Sequence, residues 1–371
     1  MNIKMVDLHK QYLRIKPEID KAIEDVLTST AFIQGPQVKS FSSALARYTG
    51  AKHCIPCGNG TDALQLAMMA LNLKPGDEVI VPVFTYVATA EVIALLGLKP
   101  VFVDVDEKTF NIDVSQLDKV LTQRTKAIVP VHLFGQAADM EPLLTFARKH
   151  NLYVIEDTAQ ALGAVYTFSH GKQRQAGTIG TIGTTSFFPS KNLGGYGDGG
   201  ALFTEDDELA EQLRIIANHG QRVKYYHDTI GVNSRLDTLQ AAILEVKLAH
   251  LDRYAESRNE VARFYDENLD RSKFELPFRA TNSTHVFHQY TLRVKHGDRQ
   301  AFQKHLADQG IPSMIYYPVP LHLQKAYQME GFGEGSFPVA ESLSKSVISL
   351  PIHTEMETSE LKYICDVANR F

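Results

Sequence analysis

Short apolar segments alternate with longer amphipathic segments over the first two-thirds of the chain. The apolar segments carry hydrophobic side chains at neighbouring positions and occupy residues 79–84, 101–105, 127–131, 152–155 and 184–188. This pattern is typical of strands that are buried on both faces, as in a mostly parallel sheet. Helical periodicity fills the intervals, at residues 63–71, 89–96, 115–120 and 140–150. The alternation predicts a doubly wound α/β domain.

The pattern changes after one long helical stretch at residues 236–268. Beyond it, a strand is predicted at 287–294, a helix at 300–307 and an extended segment at 315–317. We therefore expect a large α/β domain over residues 1–250 and a smaller α+β domain over residues 251–371. The long helix could belong to both parts.

Lys191 follows a predicted strand and precedes a glycine-rich loop at residues 194–200. Glycines allow positive φ and a close approach of the backbone to a ligand. A lysine at the end of a buried strand is expected to lose part of its hydration, which lowers its pKa and makes the amine nucleophilic. Such an amine suits a Schiff base. A solvated lysine beside a turn is the commoner arrangement for this short segment alone.

Asp157 ends another predicted strand, where open α/β sheets bind their ligands. An aspartate in this place could keep a pyridine nitrogen protonated, so that a pyridoxal ring acts as an electron sink. The alternative is that Asp157 only caps the following helix.

Residues 58–63 form a Gly-Asn-Gly-Thr-Asp-Ala turn that leads into a clear helix. Backbone N–H groups at a helix N-terminus bind phosphate, and Thr61 adds a hydroxyl. A dinucleotide site would need an acid at the end of the next strand, but Asp77 and Glu78 precede that strand. The turn therefore favours a single phosphate, with a capped helix and no ligand as the alternative.

Composition narrows the class of protein. The chain has 371 residues, a formal net charge of −5 and three cysteines. It lacks the basic surface that nucleic acids require, and no segment has the ~20 apolar residues of a membrane span. The first residues do not resemble a leader peptide, and the odd cysteine count favours a reducing compartment. We expect a cytoplasmic protein. No metal-binding motif is present, and Cys54 and Cys57 are interpreted as buried apolar residues rather than a redox pair.

Taken together, the motifs resemble the DegT/DnrJ/EryC1/StrS family of nucleotide-sugar aminotransferases. The similarity rests on the order and spacing of residues 59–64, 84–89, 156–160, 186–200 and 231–240, with further matches at 6–8, 317–322 and 349–353. The resemblance implies a fold-type-I enzyme that depends on pyridoxal phosphate and works as a homodimer with active sites at the subunit interface. It also implies L-glutamate as amino donor, 2-oxoglutarate as its product and a keto nucleotide sugar as acceptor.

The resemblance assigns a role to each matched residue. Lys191 would hold the cofactor covalently and carry the proton, Asp157 would pair with the pyridine nitrogen, and Gln160 would lie near the ring's phenolic oxygen. Tyr86 would stack on the ring, although packing under a loop is also open for it. The phosphate contacts would be Gly60, Thr61, Asp62 and Ser186, with Asn233 reaching across from the second subunit. The substrate contacts would be Arg235, Tyr316, Tyr317 and His322.

The acceptor sugar is narrowed but not fixed by the sequence. The amino-acid sequence of residues 84–91, 219–221 and 231–244 is most similar to that of enzymes that aminate C3 of UDP-2-acetamido-2-deoxy-3-oxo-glucuronate. Tyr316 stands where that subgroup has histidine, which leaves a 3- or 4-keto-6-deoxy sugar linked to dTDP or UDP as the alternative. Two readings of a different class are an NAD-dependent dehydrogenase and a regulator of the same fold without turnover.

Overall fold

The computed structural model describes residues 3–296, 298–328 and 331–371. The described helices are α1 (Leu8–Arg14), α2 (Lys16–Ser29), α3 (Pro36–Thr49), α4 (Gly60–Ala70), α5 (Ala88–Leu95), α6 (Leu117–Val120), α7 (Met140–Lys149), α8 (Asp207–Ala217), α9 (Thr238–Leu248), α10 (Leu251–Asn268), α11 (Arg299–Asp308), α12 (Pro338–Ser346) and α13 (Thr358–Ala368). The described strands are β1 (His53–Cys57), β2 (Glu78–Pro82), β3 (Lys99–Val103), β4 (Thr125–Ile128), β5 (Tyr153–Asp157), β6 (Val165–Thr167), β7 (Gln173–Gln175), β8 (Ile182–Ser186), β9 (Gly200–Thr204), β10 (Gln221–Val223), β11 (Tyr226–His227), β12 (Phe274–Glu275), β13 (Tyr290–Val294) and β14 (Val347–Leu350).

Seven strands form a central sheet in the order β1-β9-β8-β5-β4-β2-β3. Strands β8, β5, β4, β2 and β3 pair in parallel, whereas β9 runs antiparallel to both of its neighbours. The predicted α/β class with a mostly parallel sheet is confirmed. All five strands predicted from consecutive apolar residues are present, with bounds that shift by a few positions.

The sheet is buried on both faces, which explains its consecutive apolar residues. Val79 and Val81 of β2 pack into one hydrophobic cluster, whereas Ile80 between them packs into another. Successive side chains of a strand point to opposite faces. Both faces of the sheet therefore need apolar residues, and every residue of β2, including Glu78, is buried.

The long helix predicted at 236–268 is wrong in one respect, because two helices occupy this stretch. Helix α9 ends at Leu248 and α10 begins at Leu251, with the His250 N–H donating to the Lys247 carbonyl between them, 3.1 Å away. No glycine or proline marks the break. Leu244 and Leu248 of α9 pack with Phe41 and Phe187, and Leu251 at the start of α10 joins the same cluster. Only the later turns of α10 pack against the C-terminal elements.

The C-terminal part is an α+β unit. A three-stranded antiparallel sheet, β12-β13-β14, shares one core with α10, α11 and α13. The strand predicted at 287–294 begins only at Tyr290, because Phe287 takes a positive φ of 46° that no strand contains. Ile3 packs into the same core, so that both ends of the described chain meet there. The boundary at 250/251 stays a prediction.

Two further observations concern residues singled out in the sequence. Cys54 and Cys57 are free and buried, as expected, and burial raises the pKa of the Cys54 thiol to about 12. Among the described helices, none combines the length and the apolar character needed to cross a bilayer.

Candidate active site

The candidate residues gather at the carboxyl edge of the central sheet. Asp157 is the last residue of β5 and Ser186 the last of β8. Helix α4 begins at Gly60, three residues after β1 ends, and Tyr86 follows the end of β2. Because these strands run in the same direction, their ends meet at one edge, where open α/β sheets bind ligands.

Asp157 is held in place by two donors. The Thr89 hydroxyl donates to Oδ2 over 3.0 Å, and the Ala159 N–H donates to Oδ1 over 3.1 Å. The residue is 7% exposed. An ionised carboxylate has about four acceptor positions, so Asp157 keeps capacity for a further donor from the cavity side.

Lys191 carries an amine that makes no hydrogen bond to the described residues; only the more distant charge of Asp157 acts on it. Burial lowers its pKa to about 8, although the negative charge of Asp157 acts in the opposite direction. The side chain is only partly exposed. An uncommitted amine with a lowered pKa is the form in which lysine acts as a nucleophile.

The first turn of α4 is fixed against the end of β8. The Asn59 side chain accepts from the Asp62 N–H over 2.8 Å, and the Ser234 hydroxyl donates to Asp62 Oδ2 over 2.6 Å. A Cβ on Gly60 would lie 2.6 Å from the Ser186 Cβ, so only glycine permits this approach. The N–H groups of Gly60 and Thr61, unlike that of Asp62, have no acceptor among the described residues, which leaves them available to an anion.

Gln160 links two other parts of the site. Its Oε1 accepts from the Phe134 N–H over 2.9 Å, and its Nε2 donates to the Tyr317 hydroxyl over 3.1 Å. The Tyr86 ring is 58% exposed, and its centroid lies 6.4 Å from that of Tyr317. An exposed aromatic ring at a cavity mouth offers a flat surface to a planar ligand.

The remaining predicted site residues differ in how far they are buried. Asn233 is exposed and adjoins Ser234, and Arg235 is partly exposed. Tyr316 is half-buried beside Gln289. His322 stands apart, because it is 1% exposed and its Nε2 pairs with Glu341 over 3.0 Å. A side chain enclosed in this way has no free face for a substrate, so we leave His322 out of the proposed contacts.

Several functional neighbours escape sequence reasoning. Thr89 and Ser234 lie inside quoted motifs but gave no separate signal, since their partners are distant along the chain. His288 is buried, and its Nδ1 has no partner among the described residues; burial together with the charges of Lys191 and Arg258 holds its pKa well below the usual value. A lone histidine in an apolar segment does not reveal such a position.

The residues present fit pyridoxal phosphate. Lys191 offers an uncommitted amine, Asp157 a fixed carboxylate, Tyr86 an exposed ring and α4 a helix N-terminus suited to a phosphate. The dinucleotide alternative fits poorly, because Glu78 begins β2 instead of ending it and is bound there by Lys99 and Arg124.

Comparison with known proteins identifies one family and relatives that match essentially the whole chain. The model of the DegT/DnrJ/EryC1/StrS aminotransferase family matches residues 13–368. A "Pleiotropic regulatory protein" of Geobacillus stearothermophilus is 49% identical, with 100% of this chain and 99% of that protein covered. The UDP-2-acetamido-2-deoxy-3-oxo-D-glucuronate aminotransferase of Pseudomonas aeruginosa is 47% identical over 98% of each chain. A dTDP-3-amino-3,6-dideoxy-alpha-D-galactopyranose transaminase of Aneurinibacillus thermoaerophilus is 44% identical over 100% of this chain and 99% of that protein.

Solved structures agree with the fold. DesV of S. venezuelae superposes with a TM-score of 0.95 at 41% identity, covering 100% of this chain and 98% of that chain. The PLP-form of the sugar aminotransferase Spr1654 of Streptococcus pneumoniae gives a TM-score of 0.88 at 27% identity, covering 95% of each chain.

Proposed function

The chain belongs to the DegT/DnrJ/EryC1/StrS aminotransferase family, whose members depend on pyridoxal phosphate, and we propose that it transfers an amino group from L-glutamate to a keto nucleotide sugar. The proposed acceptor is UDP-2-acetamido-2-deoxy-3-oxo-glucuronate, aminated at C3 for surface polysaccharide biosynthesis. The observation that carries the proposal is the Lys191 amine at the end of the sheet, which has no acceptor among the described residues, has a lowered pKa and lies close enough to Asp157 to be influenced by its charge.

The protein's own groups have distinct tasks in this proposal. Pyridoxal phosphate supplies an aldehyde that condenses with amines and a ring that delocalises the electron pair released at the substrate carbon. Asp157, whose carboxylate is oriented by the Thr89 hydroxyl, would keep the ring nitrogen protonated through its negative charge. Lys191 would move the proton between the amino-bearing carbon of the substrate and C4′ of the cofactor. Taking up this proton requires a neutral amine.

Binding is assigned to groups around these two residues. Gly60, Thr61 and Asp62 in the first turn of α4, together with Ser186, hold the phosphate. Tyr86 would cover the ring, and Gln160 would lie near its phenolic oxygen. Tyr316 and Tyr317 face the sugar.

C3 is favoured over C4 as the aminated carbon by the relatives. The Pseudomonas aeruginosa protein is named for a 3-oxo sugar, and the Aneurinibacillus thermoaerophilus protein for a 3-amino-3,6-dideoxy sugar. Both match essentially the whole chain. A 3- or 4-keto-6-deoxy sugar linked to dTDP or UDP remains the second candidate, because Tyr316 departs from the glucuronate subgroup.

A panel of nucleotide sugars tests the substrate. The purified holoprotein is incubated with L-glutamate and, separately, with UDP- and dTDP-linked 3-keto and 4-keto sugars, while 2-oxoglutarate is measured. We expect the 3-keto glucuronate to give the highest kcat/KM, and Lys191→Ala serves as the control without turnover. A preference for a 4-keto sugar would contradict the assignment of C3. A protein that binds pyridoxal phosphate yet transfers no amine to any acceptor would favour the regulatory class.

We also propose that the enzyme is a cytoplasmic homodimer in which Asn233 and Arg235 complete the site of the partner. Its free cysteines suit a reducing compartment. Mixing separately inactive Lys191→Ala and Asn233→Ala proteins tests the shared site, since one site of each mixed dimer then contains neither change. Subunit exchange should restore about a quarter of the wild-type activity, by the statistics of random pairing between two subunits. If Asn233 serves its own subunit, no activity returns.

A further inference from the structure

A fully buried pair of polar side chains lies directly behind Asp157. His132 and Glu156 are both 0% exposed, and the His132 Nε2 lies 2.9 Å from Glu156 Oε2. Glu156 immediately precedes Asp157 in β5. Neither residue has a role in the proposed reaction, so the pair needs its own explanation.

The hydrogen bonds define where the proton of the pair lies. The Ala138 N–H donates to His132 Nδ1 over 3.0 Å, so this nitrogen carries no proton. The proton is therefore on Nε2, and a neutral His132 donates to Glu156. This assignment rests on the Ala138 N–H, because a backbone N–H can only donate and its partner nitrogen must therefore accept.

Glu156 is a carboxylate whose acceptor positions are filled. Besides His132, it accepts from three backbone N–H groups, those of Gly177 over 2.9 Å and of Ile179 and Gly180 over 2.6 Å each. Burial alone would raise the pKa of Glu156, but the His132 ring and these N–H groups outweigh it, and the net pKa lies below the usual value. A second negative charge is thus fixed beside Asp157.

The same histidine also binds Asp157 through its backbone. The His132 N–H donates to the Asp157 carbonyl over 3.0 Å, and the Asp157 N–H donates to the Pro130 carbonyl over 2.9 Å. His132 consequently contacts both consecutive residues, Glu156 by its ring and Asp157 by its main chain. Neighbouring side chains of a strand point to opposite faces, so Glu156 faces the 177–180 loop while Asp157 faces the site.

We propose that Glu156 and His132 are positioning residues for Asp157: they fix the end of β5 and keep a buried negative charge behind the carboxylate that pairs with the cofactor ring. The inference rests on the proposed function. Replacing a buried charged group and its partner by apolar residues of similar size is often neutral or stabilising, so stability alone does not account for this pair. Its place beside a charge-dependent site points to a role in that site's electrostatics.

Two substitutions of the same kind separate this role from a structural one. Glu156→Gln keeps the shape but removes the charge. Glu78→Gln is the matched control, because Glu78 is also a buried glutamate but lies at the opposite edge of the sheet, at the start of β2. Both variants are expected to lower the thermal unfolding temperature, so that loss of stability alone does not distinguish them.

The readout is the pH titration of the bound cofactor's absorbance, measured on holoprotein below the unfolding temperature, together with the affinity for pyridoxal phosphate. Removing a negative charge disfavours the protonated cofactor, so the titration midpoint of Glu156→Gln should fall by about one pH unit, the size Coulomb's law gives for charges ~10 Å apart at an effective dielectric constant near 20. Its cofactor affinity should fall about tenfold. The midpoint of Glu78→Gln should equal that of the wild type.

A folded Glu156→Gln protein with the wild-type midpoint and affinity would overturn the inference. If that variant does not fold, His132→Gln decides, because it loosens Glu156 without removing the charge. Its midpoint should stay within about 0.3 pH unit of the wild type while cofactor affinity falls severalfold, and unchanged affinity would overturn the inference. Failure of the proposed function shows elsewhere, as a wild-type protein whose absorbance does not respond to pyridoxal phosphate.

Discussion

The reactivity of Lys191 should change near pH 8 in the cofactor-free protein. Burial lowers the pKa of this amine from 10.5 to about 8. At pH 7 an amine with the ordinary value is roughly 0.03% neutral, whereas one with a pKa of about 8 is roughly 9% neutral. The fold therefore supplies about 300 times more nucleophile at neutral pH. Since the neutral amine is the reactive form, labelling should rise about tenfold per pH unit up to pH 8 and then level off.

A short pulse of acetic anhydride at pH 6 to 11, followed by digestion and mass spectrometry, measures this profile residue by residue. Lys21 is an internal control, because it is exposed and its ion pair with Asp25 raises its pKa. Its labelling should still increase at pH 10. Lys247 is a second control, since burial lowers its pKa to about 8 as well but leaves no path for the reagent.

The outcome also reports on Asp157, whose charge raises the pKa of Lys191 against the effect of burial. Asp157→Asn should therefore move the change in the Lys191 profile below pH 8. Labelling of wild-type Lys191 that continues to climb tenfold per unit between pH 9 and 10 would refute the reasoning, because the amine would then be solvated. Such a result would also remove the main support for the proposed chemistry.

Four further predictions concern activity and stability. Lys191→Ala should abolish transamination yet keep pyridoxal phosphate bound without a covalent bond, and Asp157→Asn should cut kcat at least about 100-fold; near wild-type turnover by either variant in the glutamate assay would contradict its role. Lys247→Met should stabilise the protein by about 1 kcal/mol at pH 7, since the lowered pKa of the buried amine costs about 3 kcal/mol, whereas its hydrogen bond to a backbone carbonyl and its contact with the Tyr196 ring return about 1 kcal/mol each. Because the folded state binds the proton less tightly than the unfolded chain, that difference in urea-unfolding free energy should shrink between pH 8 and 10.5. The pKa values of Glu78 and Glu156 lie below the usual 4.5, so their stabilisation is complete above pH 4.5 and is lost as the pH falls further; a melting temperature that stays constant down to pH 3 would disagree with both.

The central sheet could be predicted from the sequence because burial on both faces imposes a local pattern. Every residue of β2 is buried, and its apolar run is visible without any knowledge of its neighbours. The break between α9 and α10 could not be predicted in this way. Ala249 and His250 are compatible with a helix, and Leu248 and Leu251 on either side of them pack into one cluster. Only the later turns of α10 reach the C-terminal core, a contact between positions distant along the chain that leaves no local signal at the break.

The residues of the site also differ in whether the sequence alone reveals them. Asp157 and Lys191 follow strands, and the topology of an α/β sheet brings such positions together. His132 and Glu156 are 24 positions apart, and Arg258 holds the carbonyls of Phe287 and His288 from about 30 positions away. Contacts at such separations have no local pattern, so the sequence names the groups that react but not those that hold them.

Two consecutive acids at the end of β5 illustrate how position on a strand decides chemistry. Glu156 faces a loop whose N–H groups fill its acceptor positions, whereas Asp157 faces the cavity with two donors and spare capacity. Both carboxylates are buried, but only Asp157 is free to meet a ligand. A register shift of one residue would exchange these environments. The backbone bonds that His132 and Pro130 make with Asp157 prevent that shift, so the register of one strand end determines which acid faces the cofactor.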